Sequence, residues 1–160
     1  MGAYNIAKSK LKLEFEMSNL GTLSYFLGIE FAMTDERTLM HQRNYIVDVL
    51  ERFNMLECNP TSTFVETSHT LCKKNPEDQS IDLTLYRKMI GSLRYICNSR
   101  HDLAYGVGFV SRHMEHHKHS HMQVVKRILR YLKISMNYGV MFPANKGREL
   151  STIYGYTYAD

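Results

Sequence analysis

The sequence predicts an α+β fold: an N-terminal β-hairpin, a bundle of three or four helices, and a C-terminal strand pair. Three observations carry that expectation. Aromatic and branched residues cluster at Tyr25–Phe31 and return at Thr38–Gln42 after the polar turn Thr34-Asp35-Glu36-Arg37. Apolar residues then recur at helical spacing from Asn44 to Ile134. Strand-like segments reappear at Tyr138–Phe142 and Leu150–Tyr156, joined by a Pro143–Arg148 turn. With 160 residues, 44% of them hydrophobic, the chain has room for one compact domain or pieces of two.

The elements divide the chain at 1–56, 57–81, 82–134 and 135–160. Residues 5–17 read as a helix carrying Ile6, Leu11, Leu13, Phe15 and Met17, although Leu11–Phe15 also fits a strand. Leu20-Gly21 ends it. Within the hairpin, Gly28 falls inside the first strand, where a glycine implies a bulge or a close approach by another backbone. A short helix follows over Asn44–Phe53, with Tyr45, Ile46, Val49, Leu50 and Phe53 on one side. Residues 57–81 hold Pro60, Pro76 and a charged run over 73–78, and read as a long connecting loop.

The central helix begins at Asp82, an N-cap, and carries the densest signal in the chain. At 100° per residue, Leu85, Met89, Ile90, Leu93, Ile96 and Cys97 share one side. Arg87, Gly91, Arg94 and Asn98 form a narrow stripe opposite, flanked by Lys88 and Tyr95. Two further helices follow, Asp102–Met114 and Ser120–Ile134. The second has Ser120 as N-cap, Val124, Val125, Ile128, Leu129 and Leu132 inward, and Lys126, Arg130 and Lys133 outward beside Arg127. The tail strands are expected to pair with each other and to lack other partners, an arrangement marginal by itself.

Gly91 is the anomaly of the central helix. An interior glycine costs ~1 kcal/mol relative to alanine, and this one lies on the polar face. Either it lets a bulky ligand such as a nucleic-acid backbone approach between arginines, or it admits a neighbouring helix. Charge favours the first reading. From 86 to 134 there are ten Lys and Arg and two acids, a local charge of +8, while the rest of the chain carries −4. That asymmetry is the footprint of a polyanion partner.

Other classes find little support. No stretch approaches the ~18–20 apolar residues that cross a bilayer, and the N-terminus shows no signal-peptide core. Cys58, Cys72 and Cys97 are odd in number and widely spaced, which argues against a disulfide framework and for a reducing, intracellular setting, cytoplasmic or nuclear. His113, His116, His117, His119 and His121 include i, i+4 pairs, but no Cys or Glu set accompanies them, and the helix break near Ser120 separates them. No metal site is expected. Cys97 belongs to the apolar face and reads as packing, not as a nucleophile. There is no Gly-rich phosphate loop, and no carboxylate pair is placed for acid–base work.

Several words in order resemble the reverse transcriptase of copia-type retrotransposons, plant copies above all. They are Phe15-Glu16-Met17-Ser18-Asn19-Leu20-Gly21, Tyr25-Phe26-Leu27-Gly28-Ile29-Glu30, Gln42…Tyr45-Ile46, Tyr86–Tyr95 and Val125–Lys133, spanning roughly residues 10–160. The resemblance implies that the hairpin is the end of the palm, with Phe26-Leu27-Gly28 as the primer grip. It implies that the helices are the thumb, with Arg87, Gly91 and Tyr95, at i, i+4 and i+8, facing the minor groove of an RNA–DNA or DNA–DNA duplex; Arg94 of the stripe and Lys126, Arg130 and Lys133 of the last helix are read from their charge as further contacts. The last strands would open a ribonuclease H domain.

By the same resemblance the polymerase aspartates precede this stretch, so no catalytic residue and no cofactor is expected within it; the full-length family enzyme uses Mg2+. Of the ribonuclease H acids only Asp160 remains, because Tyr158 stands where the first normally does. Phe64, His101 and His117 replace family prolines, and Met122 a tryptophan. These departures fit drift in a degenerate copy or adaptation of a fragment to another use. The chain is therefore read as a duplex-binding segment that is not an enzyme alone, whose partners include the missing palm, fingers and ribonuclease H parts. A domesticated or orphan protein-interaction module, self-association included, is the alternative; a relic without function is the third. An organellar plant copy is compatible with all three.

Overall fold

The computed structural model describes residues 2–17, 21–63 and 82–143. The elements run α1 (Gly2–Glu14), β1 (Tyr25–Phe26), β2 (Ile29–Met33), β3 (Arg37–His41), α2 (Arg43–Arg52), α3 (Leu83–Ile96), a 3-10 turn (His101–Leu103), α4 (Ala104–Ser111), α5 (His119–Ile134) and β4 (Val140–Pro143). The class is α+β, as expected. The first segment is helical where the sequence also allowed a strand, and its apolar residues Ile6, Leu11 and Leu13 are exposed. None of the described helices is long and apolar enough to cross a membrane.

One antiparallel sheet runs in the order β1-β2-β3-β4. The hairpin differs in detail from expectation. Gly28 is neither a bulge nor mid-strand; Leu27 and Gly28 are a two-residue turn between the paired residues Phe26 and Ile29. Both have positive φ, 48° and 78°, the conformation whose twist matches flanking strands.

The tail also departs from expectation. β4 is not the start of a separate sheet: it pairs with β3, Met40 opposite Val140 and Leu39 opposite Met141. Gly139 makes the approach possible, because a Cβ there would stand 2.3 Å from the Met40 carbonyl oxygen. A strand that can satisfy its backbone on an open edge does so, which removes an exposed ladder. The second tail strand, the 57–81 loop beyond 63, and Asp160 lie outside the described residues.

The core lies among the helices. α2 contributes Ile46, Val49 and Leu50, all with 0% exposure, and ends in a left-handed Asn54 whose neighbour Met55 donates back to Leu50 O at 2.7 Å. At its other end, Glu30 on β2 accepts from Asn44 N at 2.9 Å and Asn44 Nδ2 at 3.0 Å, so the sheet caps the helix. Asp82 caps α3 as expected, accepting from Thr84 N at 2.8 Å. The apolar face of α3 is rotated slightly from the one predicted: Leu85 is 37% exposed, and Tyr86 is buried in its place, its hydroxyl donating to Val110 O at 2.9 Å. Burial of each such side chain contributes ~1.5–3 kcal/mol.

α4 is shorter than expected, since His101–Leu103 forms a 3-10 turn before it. α5 starts two residues earlier than predicted, with Lys118, not Ser120, as N-cap. His121 Nδ1 accepts the Lys118 N–H at 3.0 Å, so an imidazole does the capping there. Val124 is half-buried, while Met122 joins Val125, Ile128, Leu129 and Leu132 inside.

Candidate nucleic-acid interface

α3 displays Arg87, Lys88, Gly91, Arg94 and Asn98 to solvent. A Cβ built on Gly91 meets no atom within 4 Å. Among the described residues no neighbouring helix occupies that position, so none of them explains the glycine by helix packing, and the bare backbone lies open between two arginines. Arg87 is partly fixed: its Nε donates to Met114 O at 3.3 Å, which ties the row to the connector after α4.

At its far end the row meets the hairpin. Tyr95 is half-buried, its ring set edge-on against Tyr45 of α2 at 4.8 Å and 76°. The Tyr95 hydroxyl donates to the Leu27 carbonyl oxygen. A Cβ on Gly28 would stand 3.0 Å from that hydroxyl. The Phe26-Leu27-Gly28 turn and the end of the α3 stripe, 68 positions apart in sequence, are thus neighbours. Around the turn Tyr25, Phe26 and Leu27 are 61%, 56% and 71% exposed, an apolar tip beside a basic row.

The α5 candidates divide. Lys126 and Arg130 are exposed, whereas Lys133 donates from Nζ to Cys58 O at 2.8 Å. Arg127 holds Thr63 through its backbone oxygen at 3.1 Å and its hydroxyl at 2.8 Å. These two cations fasten the segment after α2. Because α3 and α5 both turn apolar faces into the common core, their exposed rows stand on different outward sides of the bundle.

Arg100 belongs to the inside. It is 1% exposed and forms a fork with Asp102, Nε to Oδ1 at 2.9 Å and Nη2 to Oδ2 at 2.7 Å. It also donates to Ser135 O at 2.8 Å and Ser135 Oγ at 2.9 Å, while Tyr131 Oη donates to Asp102 Oδ2 at 3.2 Å. Burial pushes the Asp102 carboxyl up, but the Arg100 hydrogen bond and charge, with Tyr131, outweigh it and hold the group below the usual carboxylate range. The pair is neutral, so its withdrawal leaves the local charge of the region unchanged.

Three of the clustered histidines, His113, His117 and His121, serve packing. His117 stacks on Tyr86 at 4.3 Å, and His113 stacks on His121 at 3.9 Å. Among the described residues no three His, Cys, Asp or Glu side chains converge. Burial, with the Asp102 charge adding to it, pushes the Cys97 thiol up, which disfavours a nucleophilic thiolate.

Sequence reasoning missed the Arg100–Asp102–Ser135 network and two supports of the hairpin. Gln42 is fully buried and accepts from Ser99 Oγ at 2.7 Å, and Tyr45 braces Tyr95. The only available signal was the pair Gln42…Tyr45, which periodicity does not interpret.

The chain is similar in sequence to known proteins. A family model described as reverse transcriptase (RNA-dependent DNA polymerase) matches residues 1–67. The chain is 36% identical over 150 residues to the retrovirus-related Pol polyprotein from transposon RE1 of Arabidopsis thaliana, covering 94% of this chain and 10% of that protein. It is 34% identical over 162 residues to the Pol polyprotein from transposon TNT 1-94 of Nicotiana tabacum, covering 96% and 12%. An uncharacterized mitochondrial protein of Arabidopsis thaliana is 28% identical over 144 residues, covering 88% of this chain and 58% of its own length. The chain spans about a tenth of the length of the Pol polyproteins it matches. No solved structure matches it.

Proposed function

We propose, from the premise that the chain is a segment of a plant copia-type reverse transcriptase, that it acts as the thumb and connection part, binding template–primer duplex without catalysis of its own. The observation that carries this reading is the open backbone at Gly91, set between exposed Arg87 and Arg94 on a row that ends at the hairpin turn. Arginines contact phosphates and sugars, and a glycine without a side chain lets the minor-groove edge come close. Phe26, Leu27 and Gly28 would abut the primer terminus. Lys126 and Arg130, on another side of the bundle, supply long-range attraction more than contact, and the fastened Lys133 contributes least.

The test is binding of a labelled RNA–DNA hybrid by the purified chain at several salt concentrations. Each phosphate neutralised steepens the fall of log affinity with log salt by ~0.9. Three or four contacts predict a slope of roughly −3 to −4. Affinity that ignores salt would overturn the reading.

A second reading has its own observation. The strand register places Phe26, Ile29, Phe31, Met33 and Phe142 on one face of the sheet, and Phe26, Met33 and Phe142 are 56%, 47% and 48% exposed. An apolar face of that kind suits a protein partner, such as the remaining polymerase or a second copy. Its signature is association insensitive to salt.

A further inference from the structure

Tyr95 flanks the basic row, yet its polar atom is turned to the hairpin and not to solvent. We propose that Tyr95 is a positioning residue: its hydroxyl holds the Leu27-Gly28 turn in its left-handed conformation and so joins the hairpin tip and the α3 row into one duplex-binding surface. This rests on the duplex reading above.

Four observations support it. Leu27, at φ 48°, occupies a region that leucine rarely adopts, and among the described residues the only other non-glycine there is Asn54, the ordinary C-terminal cap of α2. Packing does not hold Leu27 in place, since it is 71% exposed. The strand before it is two residues long and lies at the edge of the sheet, so the ladder alone grips the turn weakly. What remains is the hydrogen bond from the Tyr95 hydroxyl to the Leu27 carbonyl oxygen. Tyr95 is itself pinned, edge-on, by Tyr45.

Gly28 fits the same device. Its φ of 78° suits glycine, and the Tyr95 hydroxyl lies 3.0 Å from where a Cβ would be, so the phenol closes over the turn. Three elements meet there: the hairpin, α2 through Tyr45, and α3 through Tyr95. A duplex held by Arg87 and Arg94 would then find the tip residues at a fixed offset. Without the hydroxyl the same residues remain, but the turn samples other conformations and the offset is lost.

The experiment uses the full chain and three variants, Tyr95→Phe, Leu27→Asn and the two combined, the last read against Leu27→Asn alone because Leu27 itself lies at the proposed primer end. Phenylalanine keeps the ring against Tyr45; asparagine adopts the left-handed region more readily than leucine. Hydrogen exchange of amides 25–31 is measured without nucleic acid, and affinity for a labelled RNA–DNA hybrid is measured at several salt concentrations. Tyr95→Phe should speed exchange at the turn and weaken binding about three- to tenfold, the net worth of one neutral hydrogen bond, with the salt slope unchanged. Adding Leu27→Asn should restore most of the affinity, which a phenol that merely supports the fold would not predict.

Unchanged exchange in Tyr95→Phe overturns the latch, whether or not nucleic acid binds. Faster exchange with unaltered affinity overturns its link to the duplex. Weaker binding without rescue by Leu27→Asn means that Tyr95 touches the duplex itself, and also overturns it. Failure of the wild-type chain to bind hybrid at all overturns the duplex reading and with it the link, leaving the exchange result to decide the latch.

Discussion

Gly91 offers a perturbation whose two consequences have opposite signs. No atom of the described residues lies within 4 Å of a Cβ placed there, so a side chain collides with none of them. The residue sits in the interior of a fourteen-residue helix, where glycine is ~1 kcal/mol worse than alanine. Gly91→Ala should therefore stabilise the chain by ~1 kcal/mol and Gly91→Leu by slightly less. For a protein of this size that raises the midpoint of thermal unfolding by roughly 2–4 °C.

Binding should move the other way. A methyl group stands off the backbone by ~1.5 Å, and an isobutyl group keeps a sugar edge several ångströms away. Gly91→Ala is expected to weaken hybrid binding a few-fold and Gly91→Leu about 10-fold or more, since ~1.4 kcal/mol of lost contact is a factor of ten. Calorimetry gives the first quantity and fluorescence anisotropy the second. A loss of stability in both variants would refute the open-space geometry. A gain in stability with unaltered binding would refute the contact and reduce the row to a solvated face.

Asp102→Asn strands the buried Arg100 charge and should cost ~3 kcal/mol, more than Arg100→Met, which leaves only a half-exposed carboxylate; denaturant titration ranks them. Because the folded-state carboxyl is depressed, its stabilisation is present above the ordinary carboxylate pKa and is lost as pH falls from ~4 through the lower folded value. Asp102→Asn should flatten that acid limb. Tyr86 is pushed up to about 12 by burial, so its contribution is complete below pH ~10 and disappears as pH rises toward 12. Tyr86→Phe should remove this alkaline loss in pH-jump unfolding. Gly139→Ala should detach β4, seen as fast amide exchange at 140–143 with little change in the helices, because the added methyl would overlap the Met40 carbonyl. The purified chain should neither extend a primer nor cleave RNA in a hybrid with Mg2+ present, there being no Asp-Asp pair in its 160 residues; extension that survives a mock purification would contradict this.

Helices were legible wherever one face dominates. α2, α3 and α5 fall close to their predicted spans, because apolar spacing and one N-cap, Asp82, specify them locally. Errors arose where a distant contact decides. Tyr86 turns inward because its hydroxyl finds Val110 O, and the α5 start moves because His121 reaches the Lys118 N–H. β4 joins β3 because an edge was open, a fact that no window of sequence contains. Of the candidate site, the Arg87–Gly91–Arg94 row was readable from periodicity. Its adjacency to the hairpin turn was not, since it depends on a bond spanning 68 positions. Arg100 entered the sequence reading only as one of the ten bases between 86 and 134; that it is buried follows from the return of Ser135 beside Asp102.

The exposed charges and the exposed apolar surface are not independent. Fixing Arg127 on Thr63, Lys133 on Cys58 and Arg100 on Asp102 withdraws three cations from the outer surface, while Arg87, Lys88 and Arg94 of α3 stay exposed. That row runs toward Tyr95 and the turn. The apolar face of the sheet begins at the same turn, with Phe26 paired to Ile29. Phe26 therefore lies in reach of both a duplex on α3 and a protein on the sheet. On the duplex reading proposed above, a partner that covers the sheet as far as Phe26 would compete with the primer end, whereas one confined to Met33 and Phe142 would not. Salt then separates the two contributions: screening weakens the α3 row and leaves the sheet face largely untouched.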